Sequence, residues 1–203
     1  MAKQYGFYVD TKHCTGCKAC MNACKDRQGL PEGTKFRKVF EFAGGSWQNA
    51  DTAAYKPDVF AFYASMGCNQ CDSPACLDIC PGKVYSKRES DGVVTYNPST
   101  CISCFACREV CPFKAPSYNY EKGHMTKCVM CTDEGSADGV PVPACVKACP
   151  SRVLDFGEID ALKAKYGSVQ SISPFPAATK PNIVYKAHKD ADGGVQAVNI
   201  EEI

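Results

Sequence analysis

An α+β fold is predicted for this chain by three observations. Sixteen of its 203 residues are cysteine, these cysteines fall into four quartets, and runs rich in aromatic and β-branched residues lie between the quartets. Each C-x3-C ending suits one or two helical turns, and the intervening runs suit short strands. Leucine occurs only as Leu30, Leu77, Leu154 and Leu162, so the usual aliphatic material of a large interior is missing. Something other than aliphatic packing must hold the chain together.

The quartets are Cys14, Cys17, Cys20, Cys24; Cys68, Cys71, Cys76, Cys80; Cys101, Cys104, Cys107, Cys111; and Cys128, Cys131, Cys145, Cys149. No apolar leader precedes Tyr5, no twin-arginine pair is present, and the longest apolar run, near Val59 to Met66, is too short for a membrane span. The expectation is therefore a chain made in a reducing compartment, with thiols held by metal and not paired as disulfides.

Groups one and three carry the C-x2-C-x2-C-x3-C run of bacterial ferredoxins, and groups two, three and four end in Cys-Pro. A [4Fe-4S] cube takes three neighbouring corners from one such loop, whose N–H groups turn toward the sulfurs; the fourth corner is met from elsewhere. Zinc is the competing metal, but a four-cysteine zinc site draws paired hooks from separated segments, whereas three cysteines in seven residues crowd one side of a tetrahedron. In groups two and four the gap before the third cysteine widens, yet the C-x3-C-P ending persists. An isolated CxxC redox pair does not occur, and a fully ligated cube has no iron vacant for substrate. Such centres pass single electrons. The expected cofactors are four [4Fe-4S] clusters, with all sixteen cysteines as ligands and no catalytic residue. His13, His124 and His188 are scattered and none is read as a ligand.

Taken in order, ferredoxin-type motifs are expected over residues 5–33, 59–90, 91–121 and 122–156, with a β insertion at 34–58 and a short helix and extended arm over 157–203. Tyr5 to Asp10 reads as a strand leading into the first loop. Lys35 to Phe42 and Val59 to Ala64, separated by Ala43-Gly44-Gly45-Ser46 and a polar loop, read as a β element. Trp47 beside those glycines is read as packing over its own hairpin in preference to touching a partner. Val84 to Glu89 and Gly92 to Asn97 flank the Ser90-Asp91-Gly92 turn as a hairpin, and residues from about 59 to 121 form one two-cluster module. Gly135, Gly139, Pro141 and Pro143 mark a surface excursion between Cys131 and Cys145. Glu158 to Tyr166 reads as a helix ended by Gly167. The remainder, with Pro174, Pro176, Pro181 and Asp192-Gly193-Gly194, reads as an arm that wraps its own modules or lies along another subunit.

The formal charge is +1. Sixteen thiolates around four oxidised cores would bring it to about −7. Lys12, Lys18, Lys25, Arg108, Lys114, Lys127, Lys147 and Arg152 lie near ligands in sequence and are either countercharges or ordinary surface charge. With no basic run and no interleaved basic and aromatic stripe, no nucleic-acid partner is expected.

With these motifs placed, the chain resembles the iron-sulfur electron-transfer subunit of the dimethyl sulfoxide reductase family of membrane molybdoenzymes. The resemblance runs over nearly the whole chain. It is carried by Gln4-Tyr5-Gly6-Phe7, Cys14-Thr15-Gly16-Cys17-Lys18, the Ala43-Gly44-Gly45 turn before Trp47, Glu121-Lys122-Gly123-His124-Met125-Thr126-Lys127-Cys128, and Lys180-Pro181-Asn182-Ile183-Val184. Departures lie mainly between Thr132 and Ala144 and in the last dozen residues.

The resemblance implies two interleaved bacterial-ferredoxin-like two-cluster modules in which quartets pair crosswise. Cys14, Cys17 and Cys20 would share a cube with Cys149; Cys128, Cys131 and Cys145 with Cys24; Cys68, Cys71 and Cys76 with Cys111; Cys101, Cys104 and Cys107 with Cys80. Spacing alone supports the inner pairing but leaves groups three and four open as partners. The resemblance further implies a molybdopterin catalytic subunit, an integral membrane subunit that oxidises quinol, and a peripheral location at the cytoplasmic membrane. The chain itself would be non-catalytic and would relay electrons to the site that reduces dimethyl sulfoxide or a related S- or N-oxide. Alternatives are the equivalent subunit of a polysulfide or thiosulfate reductase or a formate dehydrogenase, a free-standing polyferredoxin, and a zinc-bearing interaction module.

Overall fold

A computed structural model of the protein describes residues 3–49, 54–132, 142–173 and 175–202. The chain runs from β1 (Tyr5–Asp10) through α1 (Ala19–Arg27), then β2 (Lys38–Gly44), β3 (Trp47–Asn49), β4 (Tyr55–Pro57) and β5 (Phe60–Met66). It continues with α2 (Ala75–Asp78), β6 (Tyr85–Lys87), β7 (Val94–Tyr96), α3 (Ala106–Val110), β8 (Ser117–Asn119) and β9 (His124–Thr126). Last come α4 (Ala144–Lys147), β10 (Leu154–Glu158), α5 (Ile159–Tyr166) and β11 (Ile183–Lys186). Gly135, Gly139, Pro141 and Pro174 lie outside the described residues.

Strand β1 is buried along its whole length, because it is the middle of a three-stranded sheet covered on both faces. It pairs antiparallel with β10, Tyr5 opposite Glu158 to Val9 opposite Leu154. It pairs parallel with β11, Phe7 opposite Ile183 to Asp10 opposite Lys186. The strand period of two then sorts the side chains. Tyr5, Phe7, Val9, Ile183 and Tyr185 enter the main core, while Tyr8 and Val184 face α5 with Ile159 and Leu162. Tyr166 of α5 stacks on Tyr8 with ring centroids 3.7 Å apart. Gly6 is required where the chain enters β11, since a Cβ there would lie 2.6 Å from the Asn182 carbonyl oxygen. Leu162→Ala is expected to destabilise the protein by about 2–5 kcal/mol. A lower melting temperature with unchanged iron content would register this, because Leu162 packs with Tyr8, Ile159 and Val184 in a cluster that contains no cysteine.

The 157–203 segment, expected as a short helix and an extended arm, folds back on the modules. Beyond α5 it supplies β11, and its end is tied to the edge of β2: Val198 donates its backbone N–H to the Glu41 carbonyl at 2.8 Å, and Asn199 Oδ1 accepts from the Glu41 N–H at 2.9 Å. Of the two placements open to it from sequence, the segment takes the one in which the chain wraps itself. The physical reason is apolar: Ile183, Val184 and Tyr185 are almost wholly buried and could not remain in water.

β2 and β5 form one antiparallel hairpin, Lys38 opposite Met66 to Gly44 opposite Phe60, so the boundary between residues 58 and 59 falls inside a β element. Likewise the boundary at 156/157 falls within β10. The core beneath is aromatic where leucine is scarce: Phe42 stacks on Phe62 at 4.9 Å, and Phe175 meets Phe40 edge-on at 5.0 Å. At the far end of the hairpin, Trp47 on β3 stands opposite Pro57 on β4 and is 66% exposed. This corrects the expectation that Trp47 packs over its own hairpin; β3 and β4 are exposed throughout, with no layer above them among the described residues. The 84–97 hairpin forms as β6 and β7. Among the described residues, no helix is long and apolar enough to cross a membrane.

Candidate metal centres

Each quartet opens on a loop that reverses handedness at its third residue. Gly16, Gln70, Ser103 and Met130 all have left-handed φ, at 68°, 47°, 56° and 59°. Left-handed residues in such loops turn neighbouring N–H groups to one side, forming a concave donor surface; Met130 N donates to Cys128 Sγ at 3.3 Å. After each Cys-Pro pair a second reversal recurs, at Lys83, Lys114 and Arg152. It brings Val84 N to Cys80 Sγ at 3.4 Å and Ala115 N to Cys111 Sγ at 3.5 Å. Holding non-glycine residues left-handed costs roughly 1–2 kcal/mol each, so the loops are strained toward the sulfurs. The thrice-repeated Cys-Pro-x-Lys/Arg pattern is the sequence signal for this second reversal.

The sixteen thiols gather across quartets. Cys68, Cys71, Cys76 and Cys111 line a cavity with about 400 Å³ of atom-free space. Cys80, Cys101, Cys104 and Cys107 line another of about 310 Å³. Cys14, Cys17, Cys20 and Cys149 line a third of about 300 Å³. Cys24 is surrounded electrostatically by Cys145 and Cys131, and Cys128 by Cys24, Cys68 and Cys145. Helix packing explains the exchange, because α1 packs on α4 and α2 on α3. Within α1, Cys20 and Cys24 are one helical turn, about 6 Å, apart along the axis, so one helix serves two neighbouring sites. Among the described residues, no three His, Cys, Asp or Glu side chains are placed to hold a single ion; the thiols surround volumes.

The same proximities order the four sets. The Cys14 set adjoins the Cys24 set through α1, and the Cys24 set adjoins the Cys68 set through Cys128. The Cys68 set adjoins the Cys80 set at Tyr85, whose hydroxyl donates to Cys107 Sγ at 3.2 Å and feels both Cys76 and Cys80. Cys17 and Cys104, in the two end sets, are exposed, while at least one thiol in each set is buried.

Burial pushes these thiols up, Cys14 to about 11 and Cys24, Cys71 and Cys76 to about 12. Four thiolates in one buried volume thus require a cationic centre among them. The surrounding donors suit sulfur that carries negative charge. Ser65 Oγ lies 3.1 Å from Cys20 Sγ and Thr179 Oγ1 3.2 Å from Cys71 Sγ. Gln28 Nε2 donates to Cys131 Sγ at 3.8 Å. Asn69 lines the Cys68 cavity with its buried amide unpartnered, as expected of a donor whose acceptor is a cluster sulfide. The wholly buried Lys127 donates to the Cys128 and Val94 carbonyls. Of the basic residues near ligands in sequence, Lys127 is thus a buried countercharge, whereas Lys12, Lys18, Lys25, Lys147 and Arg152 are exposed. Sequence reasoning does not reach Ser65, Tyr85 and Thr179, because each is brought to its sulfur by packing and not by spacing.

Known proteins share this framework. The family described as "4Fe-4S dicluster domain" matches residues 59–159, and "4Fe-4S binding domain" matches residues 11–29. The sequence is 46% identical over 193 residues to the B subunit of anaerobic dimethyl sulfoxide reductase from Escherichia coli K12, covering 94% of this chain and 92% of the relative. It is 44% identical over 191 residues to the subunit of the same name from Haemophilus influenzae, covering 93% and 92%. A more distant relative, "Protein NrfC" of Escherichia coli K12, is 31% identical over 157 residues, covering 77% of this chain and 66% of the relative.

Proposed function

The protein belongs to the family of iron-sulfur subunits represented by the B subunit of anaerobic dimethyl sulfoxide reductase, and from that premise we propose that it carries four [4Fe-4S] clusters between a quinol-oxidising membrane subunit and a molybdopterin catalytic subunit. It is an electron-transfer subunit of a dimethyl sulfoxide reductase complex. The proposed ligand sets are Cys14, Cys17, Cys20 and Cys149; Cys24, Cys128, Cys131 and Cys145; Cys68, Cys71, Cys76 and Cys111; and Cys80, Cys101, Cys104 and Cys107. When bound, the clusters supply one-electron redox chemistry.

The observation that carries this reading is the gathering of thiols from different quartets around shared cavities, with an exposed cysteine in each end set. The protein's own part is positioning and insulation. Left-handed loop residues direct N–H groups at sulfur. Tyr85 lies between the Cys68 and Cys80 sets, and Gln70 ties the Cys68 loop to the Cys128 carbonyl at 3.0 Å. Burial of the inner thiols excludes water and so helps set their clusters' potentials. At the Cys104 end, Ile79, Ile102, Phe105 and Val110 are exposed apolar residues, which suits a membrane partner. At the Cys17 end the exposed residues include Lys12, His13 and Lys18, which suits an acidic surface on the catalytic subunit.

Anaerobic elemental analysis is expected to find on the order of sixteen irons and as many sulfides per chain, and native purification is expected to bring down a large molybdenum-containing subunit. Zinc in place of iron would end the proposal. A holoprotein running alone at about its own mass would favour the free-standing polyferredoxin.

A further inference from the structure

We propose that Arg37 is a fixed positive charge shared by two of the four cluster sites, linked to Cys20 through Ser65 and facing Cys145, and that it raises the reduction potentials of the clusters those thiols hold. The inference rests on the ligand sets proposed above. Arg37, immediately before β2, is 3% exposed. Its Nη1 donates to the Ser65 carbonyl at 3.1 Å and to Ser65 Oγ at 3.3 Å, and Ser65 Oγ lies 3.1 Å from Cys20 Sγ. The guanidinium sits over the Phe7 ring, 4.4 Å from its centroid, which fixes its plane.

Nη2, by contrast, is buried without a hydrogen-bond partner. Gly67 leaves it room, because a Cβ at that position would come within 3.3 Å of it. The groups that act on Arg37 most strongly are the thiols of Cys145, Cys20, Cys128 and Cys24, which come from both neighbouring sets. A buried guanidinium with an idle donor is strongly destabilising unless an anion answers it, and two net-negative clusters supply that anion. Each cluster gains one electron on reduction and becomes more negative, so a fixed cation between them favours the reduced form of both. It also extends a polar path from Cys20, Sγ to Ser65 hydroxyl to guanidinium, toward Cys145.

The test is potentiometric titration of the purified complex, followed by paramagnetic resonance, for R37Q, R37K and S65A. R37Q is expected to lower the midpoints of the Cys14 and Cys24 sets by at least tenfold in the reduction equilibrium, about 59 mV for one electron, leaving the other two unmoved. R37K restores most of the loss, and S65A lowers the Cys14 set alone. Four unshifted midpoints in iron-replete R37Q overturn the proposal. Should R37Q fail to retain iron, S65A decides, and an unshifted Cys14-set midpoint overturns it. Failure of the ligand sets themselves would show separately, as fewer than four clusters in the unsubstituted protein.

Discussion

Stripping iron from the purified chain without air is expected to abolish cooperative folding and not to leave an ordered apoprotein. The thiols of at least three sites are drawn from separate segments around a shared space, so binding of the metal centre is coupled to folding. A domain of this size has about 5–15 kcal/mol of stability in total, and metal binding coupled to folding contributes on the order of 10 kcal/mol at a structural site, so stripping the centres removes it. The strained left-handed loops lose the acceptors toward which they are turned, and Asn69 and Arg37 lose the partners that justify their burial. Near-ultraviolet circular dichroism and a urea melt measure this. A stripped chain that melted as sharply and at the same denaturant concentration as the loaded one would count against the clusters as the structural centre.

Cys24→Ser is expected to remove the cluster held by Cys128, Cys131 and Cys145, over a hundred positions away in sequence, and to spare the one held by its neighbours Cys14, Cys17 and Cys20. Iron would fall from about sixteen to about twelve per chain, one cube in four. Cys111→Ser is expected to act in the same manner on the Cys68 set and not on the Cys101 set. The basis is that α1 packs against α4 and α2 against α3, placing the last cysteine of each quartet beside the first three of another. Paramagnetic resonance separates the signals. Loss of the Cys14-set signal in the Cys24 variant would mean that each quartet closes on itself.

How much of this is legible in the sequence follows the range of the interactions. Tyr5–Asp10 as a strand, the 84–97 hairpin, the turns in C-x3-C segments and the Ile159–Tyr166 helix ended by Gly167 are readable, because hydrophobic period, turn residues and capping act within a few residues. The thiols themselves are readable as candidate ligands by type and spacing. Trp47 is not, because nothing local says whether a second layer covers a strand. The segment from residue 168 reads as an arm because its prolines and glycines describe a path without saying where that path returns.

What the sequence determined by itself was the chemistry and its local presentation: sixteen thiols, in four quartets spaced to present three at a time, in a chain with little leucine for an aliphatic core. The tertiary structure decided which thiols share a cavity, that Ile183–Lys186 closes the sheet beside the first strand, and that a buried guanidinium lies between two sites. The reason is that ligand spacing is set by bonds along the chain, whereas the fourth corner of each site and the charge beside it are set by which helices and strands pack together, in the outer pair across more than a hundred residues.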